Sequence, residues 1–273
     1  MPLSRYSTRD LARIVVDHGI TATISGTTVW RWLARDAIRP WLFRSWIFPR
    51  DPDFATKAGR VLDLYHREWD GRPLGDDDFV LSADEKPSIQ ARARTHATLP
   101  PAPDTPTRVE HEYGRAGALV YLAAWDVHRA TLFGRCEPRS GIASFDALVA
   151  QVMARAPYRS AHRVFWIVDN GSSHRGAPAA ARLAQRWPNL VLVHLPIHAS
   201  WLNQIEIVFS ILQRKLLTPN AFDSLFELEA SILAFEEHYQ AVAKPFDWKY
   251  TRQDLARLLA RLTPDPIPIK IPA

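Results

Sequence analysis

Three acidic residues stand where a chain could assemble a cluster of carboxylates. Asp84 and Asp169 each follow an apolar run that predicts a buried strand, and Glu206 stands near the start of a predicted helix. Carboxylate oxygens that converge from separate elements at one edge of a sheet are common ligands for a pair of divalent metal ions. The sequence therefore predicts a catalytic two-metal site whose natural target is a phosphodiester bond.

Each acid taken alone has a plainer explanation, because an Asp after a strand more often caps a turn. The prediction therefore rests on all three together: Asp84 bridges both ions, and Asp169 and Glu206 each complete one coordination sphere, with the ions about 3.5 to 4 Å apart. Glu85 should point to the opposite face of the strand, as a surface or salt-bridge group. The acidic run 76–78 is interpreted as a solvated turn.

Five phrases accompany these acids in a fixed order along the chain. They are Ser82-Ala-Asp-Glu-Lys86, Glu110-His-Glu-Tyr-Gly-Arg115, Val168-Asp-Asn-Gly-Ser-Ser-His174, Leu195-Pro-Ile-His-Ala-Ser-Trp-Leu-Asn-Gln-Ile-Glu206 and Pro245-Phe-Asp-Trp-Lys-Tyr250. Together they resemble the DDE transposases of the mariner-type superfamily, in its bacterial insertion-sequence branch. The phrase that ends at Glu206 is the most specific of the five. The 37 positions between Asp169 and Glu206 also leave room for about one helix and one strand, as the resemblance requires.

The resemblance implies a DNA transposase that cuts the ends of an insertion element and joins them to target DNA. It further implies two Mg²⁺ or Mn²⁺ ions, double-stranded DNA as the partner, and a homo-oligomer assembled on paired inverted-repeat ends. Two other functions remain open. One is a different ribonuclease H-like nuclease, and the other is a cleavage-inactive remnant that only occupies element ends.

Four polar residues of the same phrases are candidate accessory groups of the site. A histidine beside paired metals can bind the scissile phosphate or steady a carboxylate ligand, and a hydrogen-bonded structural role is equally compatible with the sequence. The two asparagines are interpreted as groups at the edge of the site that orient backbone or phosphate. Trp201 is predicted to lie in the core, and Lys86 is interpreted as solvated. The four candidates are Asn170, His174, His198 and Asn203.

Composition bounds the class of protein independently. A chain of 273 residues with 47% hydrophobic and 23% charged residues can form one large core and a small accessory domain. No apolar run reaches the length of a membrane span, and the N-terminus lacks an apolar signal core, which predicts a cytoplasmic protein. The bacterial resemblance implies that it is nucleoid-associated. The single Cys136 excludes an intramolecular disulfide and a cysteine-rich zinc site.

The positive charge is concentrated at the N-terminus. Residues 1–50 contain eight Arg and three Asp, a net charge of +5 that equals the charge of the whole chain, and such an excess attracts DNA phosphates. Two amphipathic helices are predicted there, and Val29, Trp32 and Leu33 face the inside of the second. This layout indicates a helix-turn-helix module, whose second helix meets the major groove. Its predicted DNA contacts are Thr27, Thr28, Arg31 and Arg35.

Four regions follow from these patterns: a helix-turn-helix module at 1–50, a helical linker at 51–78, a catalytic domain at 79–250, and a C-terminal helix with a Pro-rich tail at 251–273. Family members usually begin with a longer, bipartite DNA-binding region, and residues 1–50 correspond to its second half. Sequence-specific binding of element ends is therefore an open question. The Trp- and Arg-rich segment 38–48 is interpreted as packing against the next domain in preference to contacting nucleic acid.

The catalytic domain is predicted to be an α/β, ribonuclease H-like mixed sheet flanked by helices, because three strands precede an alternation of helices and strands. The predicted strands are 80–83, 118–126, 130–135, 164–168 and 190–194, and the predicted helices are 144–155, 177–187 and 202–217.

Overall fold

The computed structural model describes residues 6–35 and 49–262, and the chain divides into two compact units, 1–48 and 49–273. The Trp- and Arg-rich segment 38–48 and the Pro-rich tail after residue 262 lie outside the described residues. Within the described ranges, no helix has both the length and the apolar content needed to cross a bilayer.

The first unit contains helices α1 (Thr8–Asp17) and α2 (Gly26–Arg35). Val29 is the buried residue of α2, and Leu33, one turn later, is half-buried. The prediction that Trp32 faces inward is wrong, since this residue is 57% exposed. The physical reason is that two short helices touch along a narrow strip. Val29 and Leu33, four positions apart, form the ridge that makes this contact, and Trp32, three positions after Val29, lies beside the ridge.

The second unit is built around a five-stranded mixed sheet flanked by helices. Its elements before the third strand of the sheet are α3 (Phe54–Tyr65), a small hairpin of β1 (Glu68–Trp69) and β2 (Arg72–Pro73), β3 (Asp78–Ala93), β4 (Gly114–Asp126) and β5 (Thr131–Glu137). The later elements are α4 (Ile142–Met153), β6 (Arg163–Val168), α5 (Gly176–Arg186), β7 (Leu190–His194), α6 (Ile205–Lys215), α7 (Leu225–Val242) and α8 (Arg252–Leu262).

The strand order in the sheet is β5-β4-β3-β6-β7. Strand β3 pairs antiparallel with β4 on one side and parallel with β6 on the other. Both faces of the sheet are covered: helices α3, α6, α7 and α8 contribute to one hydrophobic core, and α4 and α5 to the other. Helix α3 supplies fully buried residues such as Val61 and Leu62, so the predicted linker region includes part of the core of this unit.

The interpretation of the acidic run 76–78 as a solvated turn is wrong for its last residue. Asp76 and Asp77 are exposed, but Asp78 is only 3% exposed. Its carboxylate accepts hydrogen bonds from Arg163 Nε at 2.9 Å and Nη2 at 2.8 Å, and these bonds lower its pKa to about 2. The register of β3 on β6 places the two residues side by side, which the sequence of one strand alone cannot show.

Candidate active site

Strands β3 and β6 place two of the predicted acids on the same face of the sheet. Side chains alternate along a strand, so Asp84 shares a face with Val80, and Asp169 continues the face of Ile167. Val80 and Ile167 both belong to the core that contains residues of α6. Because β3 and β6 are parallel and in register up to Ser82 and Ile167, two further residues bring Asp84 and Asp169 to the same sheet edge.

A hydrogen-bond network fixes the start of α6 to β3 beside Asp84. Asn203 is buried, and its amide Nδ2 donates to Asp84 Oδ2 at 3.2 Å, while its Oδ1 accepts a bond from the Ser82 hydroxyl. The Ile205 N–H in turn donates to Ser82 Oγ at 3.1 Å. Glu206 follows in the first turn of α6, where the positive end of the helix dipole favours a carboxylate.

The electrostatics of these acids show an excess of negative charge. Burial, together with the charges of Asp169, Glu85 and Glu206, raises the pKa of Asp84 from 3.8 to about 7, against a hydrogen bond from the Glu85 N–H. Partial burial also raises the pKa of Glu206, and the ammonium of Lys86 opposes that rise. Such a cluster is what a divalent cation would neutralise.

The described residues contain no group of three or more His, Cys, Asp or Glu already close enough to enclose a metal ion. Mutual repulsion among uncompensated carboxylates favours this open arrangement. Asp84 and Asp169 share a face of the sheet, Glu206 lies on the helix that covers this face, and the charges of the three interact. Their roles as metal ligands stay a prediction.

His174 is fully buried behind Asp169. Its Nε2 lies 2.5 Å from Asp169 Oδ1, its Nδ1 lies 2.9 Å from Ser173 Oγ, and its ring packs on Phe145 with the ring centroids 4.7 Å apart. The hydrogen bond from His174 is the main cause that lowers the pKa of Asp169. Of the two roles open from the sequence, this geometry favours steadying a carboxylate, because a buried ring cannot face a phosphate.

We expect His174→Ala to weaken Mn²⁺ binding by about 10- to 100-fold, the range typical when the partner of a metal ligand is removed. His174→Gln keeps a donor and should recover part of that loss. Titration with Mn²⁺ measures the affinity, and the exposed His238→Ala on α7 serves as the control. Wild-type affinity in folded His174→Ala would contradict the positioning role.

The other two accessory candidates line a cavity of about 330 Å³ beside Asp169. The Asn170 amide donates to the Leu195 carbonyl at 2.8 Å, so it holds the loop that follows β7. His198 is exposed on that loop, with φ +62°, and makes no hydrogen bond among the described residues. The structure thus brings Asn203 and His174 into hydrogen bonds with the acids, while Asn170 bonds the loop and His198 only lines the cavity.

Asp51 was not identified from the sequence as a site residue. Its buried carboxylate accepts a hydrogen bond from the Ile197 N–H at 3.0 Å and pairs with Lys57 Nζ at 2.9 Å. It therefore anchors the loop that carries His198. No local signal marks this role, because Asp51 and Ile197 are far apart in the chain.

Two interpretations of residues near the acids are corrected. Glu85 does point to the opposite face, but it is half-buried, has no salt bridge within the described part of the chain, and burial raises its pKa. It is therefore neither a surface group nor a salt-bridge group. Trp201 is not in the core: it is 39% exposed, and its ring meets that of Tyr250 edge-on with centroids 5.7 Å apart.

The predicted DNA contacts lie on α2 of the first unit. Thr27, Arg31 and Arg35 are exposed, and Thr28 is half-buried. The Thr28 N–H donates to Ser25 Oγ at 3.1 Å, so Ser25 caps the helix as its sequence position suggests.

Comparison with known proteins places this geometry in context. The family described as DDE superfamily endonuclease matches residues 80–229. Among solved structures, the chain is similar to the Mos1 mariner paired-end complex with Mn, with a TM-score of 0.53 and 14% identity over 96% of this chain and 78% of that one. It is also similar to a pre-cleavage Mos1 transpososome, with a TM-score of 0.51 and 14% identity over 96% and 78% of the two chains.

At these identities the structural likeness concerns the fold, and it confirms the predicted ribonuclease H-like mixed sheet flanked by helices. No curated protein sequence matches the chain.

Proposed function

The chain belongs to the DDE superfamily of endonucleases, and from that premise we propose that it is a mariner-type DNA transposase of the bacterial insertion-sequence branch. It would cut DNA strands at the ends of a mobile element and join them to target DNA. The observation that carries this proposal is the placement of Asp84 and Asp169 on the face of the sheet that α6 covers, with Glu206 in the first turn of that helix.

The donor set fits hard divalent cations such as Mg²⁺ or Mn²⁺. Asp84, Asp169 and Glu206 offer carboxylate oxygens, the ligands that these cations prefer, and the raised pKa of Asp84 reflects its burial and the negative charges of its neighbours. These three residues would hold the metal. When two ions are bound at such a site, they supply activation of an attacking hydroxyl and stabilisation of the leaving oxygen.

The contribution of the chain itself is to position the acids. Asn203 restrains the Asp84 carboxylate through its amide, and His174 restrains the Asp169 carboxylate through its imidazole. Both reactions of a transposase are in-line displacements at phosphorus, by water in cleavage and by a DNA 3′-hydroxyl in strand transfer. One site therefore serves both steps, and no side chain has to form a covalent bond to DNA.

The partners follow from the same proposal. The two Mos1 structures are, by their descriptions, a paired-end complex and a transpososome. By extension, this chain would bind the inverted-repeat ends and target DNA as a homo-oligomer. Its N-terminal helices would act as a helix-turn-helix module, which the net charge of +5 in residues 1–50 supports. Thr27, Thr28, Arg31 and Arg35 of α2 would contact the DNA.

The test is a strand-cleavage assay with the wild-type chain, Mg²⁺ and a duplex that carries the inverted repeats flanking its own gene. We expect nicks at the element ends, strand-transfer products when target DNA is added, and no reaction in EDTA. Binding without any cleavage would instead identify a DNA-binding remnant. Cleavage of RNA–DNA hybrids or junctions in place of element ends would identify another ribonuclease H-like nuclease.

A further inference from the structure

Beyond the acids, β3 and β4 continue as a two-stranded arm. Strand β3 pairs with β6 only as far as Ser82, but with β4 as far as Ala93. Asn220, after the end of α6, closes the other edge of β3: its amide donates to the Gln90 carbonyl at 2.6 Å and accepts the Arg92 N–H at 3.2 Å. A groove of about 740 Å³ lies here, and we call it the arm groove. Its lining includes Lys86, Gln90, Arg92, Arg94, Tyr113 and Asn220.

The arm groove carries more positive than negative charge, because Lys86, Arg92 and Arg94 line it together with the single carboxylate of Glu110. Lys86, Arg92 and Arg94 form no salt bridge with any carboxylate in the described ranges. The guanidinium of Arg94 donates to backbone carbonyls, including that of Glu110 at 2.6 Å, and Arg92 Nε is buried without a partner in this part of the chain. The carboxylate of Glu110 is itself bonded to His96 Nδ1 at 2.8 Å.

The arginines are also held in place before any ligand arrives. The guanidinium carbons of Arg92 and Arg94 lie 4.6 and 4.9 Å from the centroid of the Tyr113 ring, and such stacking restricts both side chains. Arg115 stands opposite Arg92 in the register of the arm. Like charges directly opposite each other destabilise a strand pair. An anion bound there would offset that cost.

The arm groove lies next to the proposed active site along the chain. Lys86 is two residues from Asp84 on β3, and Gln213 in the groove is two turns from Glu206 on α6, about 10 Å along the helix. From Lys86 to Arg94 the strand spans on the order of 20 Å, allowing for its bulges. Measured along the axis of a DNA duplex, the phosphates of one strand are spaced about 3.4 Å apart, so a groove that runs along the duplex would face about six nucleotides.

We propose that the arm groove holds the DNA strand next to the bond being cut, with Arg92 and Arg94 contacting consecutive phosphates. This inference rests on the proposed function, because it takes DNA as the occupant. It assigns a role to Tyr113, in the phrase 110–115 that the carboxylate site does not use. The contacts are to phosphate, so they should add affinity equally for all base sequences.

The test compares DNA binding by two double variants of the full chain, without divalent metal so that cleavage plays no part. Arg92→Ala/Arg94→Ala removes two charges from the groove. Arg155→Ala/Arg159→Ala removes two exposed charges before β6 begins, at the sheet end opposite the acids. Fluorescence anisotropy on a duplex element end gives the slope of log affinity against log salt. We expect the slope to become less steep by about 1.8 in the groove variant, from about 0.9 per phosphate contact, and to stay unchanged in the control.

A third variant separates charge from folding, because Arg94 also bonds the backbone of the arm. Arg92→Lys/Arg94→Lys keeps both charges and should keep the wild-type slope. The inference would be overturned if the slope became less steep by the same amount in the Ala and Lys variants, or if it stayed unchanged in both. These results do not depend on cleavage: a chain that binds as expected but never cuts DNA contradicts the proposed function alone.

Discussion

Asp84→Asn should remove metal-dependent strand cleavage while leaving DNA binding intact or slightly tighter. Loss of an outer-shell partner of a metal ligand typically costs 10- to 100-fold, so loss of the central ligand should cost at least about 100-fold in cleavage rate. Binding should persist because the variant removes a negative charge near phosphate and leaves every cation in place. Single-turnover cleavage with Mg²⁺ and anisotropy on the same duplex measure the two properties.

The matched control is Asp77→Asn, which removes an exposed acid before β3, away from the acids. It should cleave at the wild-type rate. Arg31→Ala should show the reverse of Asp84→Asn, with weaker binding and an intact catalytic centre. Cleavage by Asp84→Asn at the normal rate would show that the two-metal mechanism is wrong.

The same substitution should change how stability depends on pH. The pKa of Asp84 is raised from 3.8 to about 7, chiefly by burial. An acid whose pKa is higher in the folded chain binds more protons when folded, so its contribution to stability falls as the pH rises from about 4 to 7. Asp84→Asn removes the ionisable group, so the variant does not lose this stability as the pH rises. In EDTA at pH 8 the variant should therefore be more stable than wild type by roughly 2 to 4 kcal/mol, and the difference should vanish near pH 4.

Urea unfolding at several pH values measures this difference. Other acids also have raised pKa values, among them Glu85 and Glu206, so the informative quantity is the difference in unfolding free energy between wild type and variant at each pH. Mg²⁺ should stabilise wild type and have little effect on Asp84→Asn. A gap that stays constant between pH 4 and pH 8 would contradict the assigned burial of Asp84.

Much of the sheet could be predicted because the inner strand β6 and the edge strand β7 are short runs made almost entirely of apolar residues. The apolar run 190–194 was predicted with the same bounds as β7, and the run 164–168 differs from β6 by one residue. Continuous apolar runs of this length are typical of parallel strands covered by helices. The positions of Asp84 and Asp169 at the sheet edge follow directly from the apolar runs 80–83 and 164–168 that precede them.

The arm could not be predicted, because the apolar sequence pattern that marks the first part of β3 is lost in its second part. The predicted strand ended at residue 83, whereas β3 continues to Ala93. Beyond Asp84, polar side chains and Pro87 hide the alternation, and register shifts interrupt the pairing. Since the arm groove depends on this extension and on Asn220, far along the chain, only the fold reveals it.

Contacts between distant positions account for the remaining differences. His174 was a candidate with two open roles, and its burial behind Asp169 favours one of them. No sequence pattern indicated the role of Asp51, because its partner Ile197, in the loop of His198, is 146 positions away. Trp201 was expected in the core on hydrophobicity alone, but its surroundings include the phrase 245–250, whose path no local pattern specifies.

The most direct test of the central claim is a crystal structure of the chain with Mn²⁺, located by its anomalous scattering. We predict manganese bound by the carboxylates of Asp84, Asp169 and Glu206 together, with Asp84 shared between two ions when DNA is present. Manganese bound elsewhere, or bound to Asp84 without Asp169 and Glu206, would contradict the assignment of these three residues as the catalytic centre.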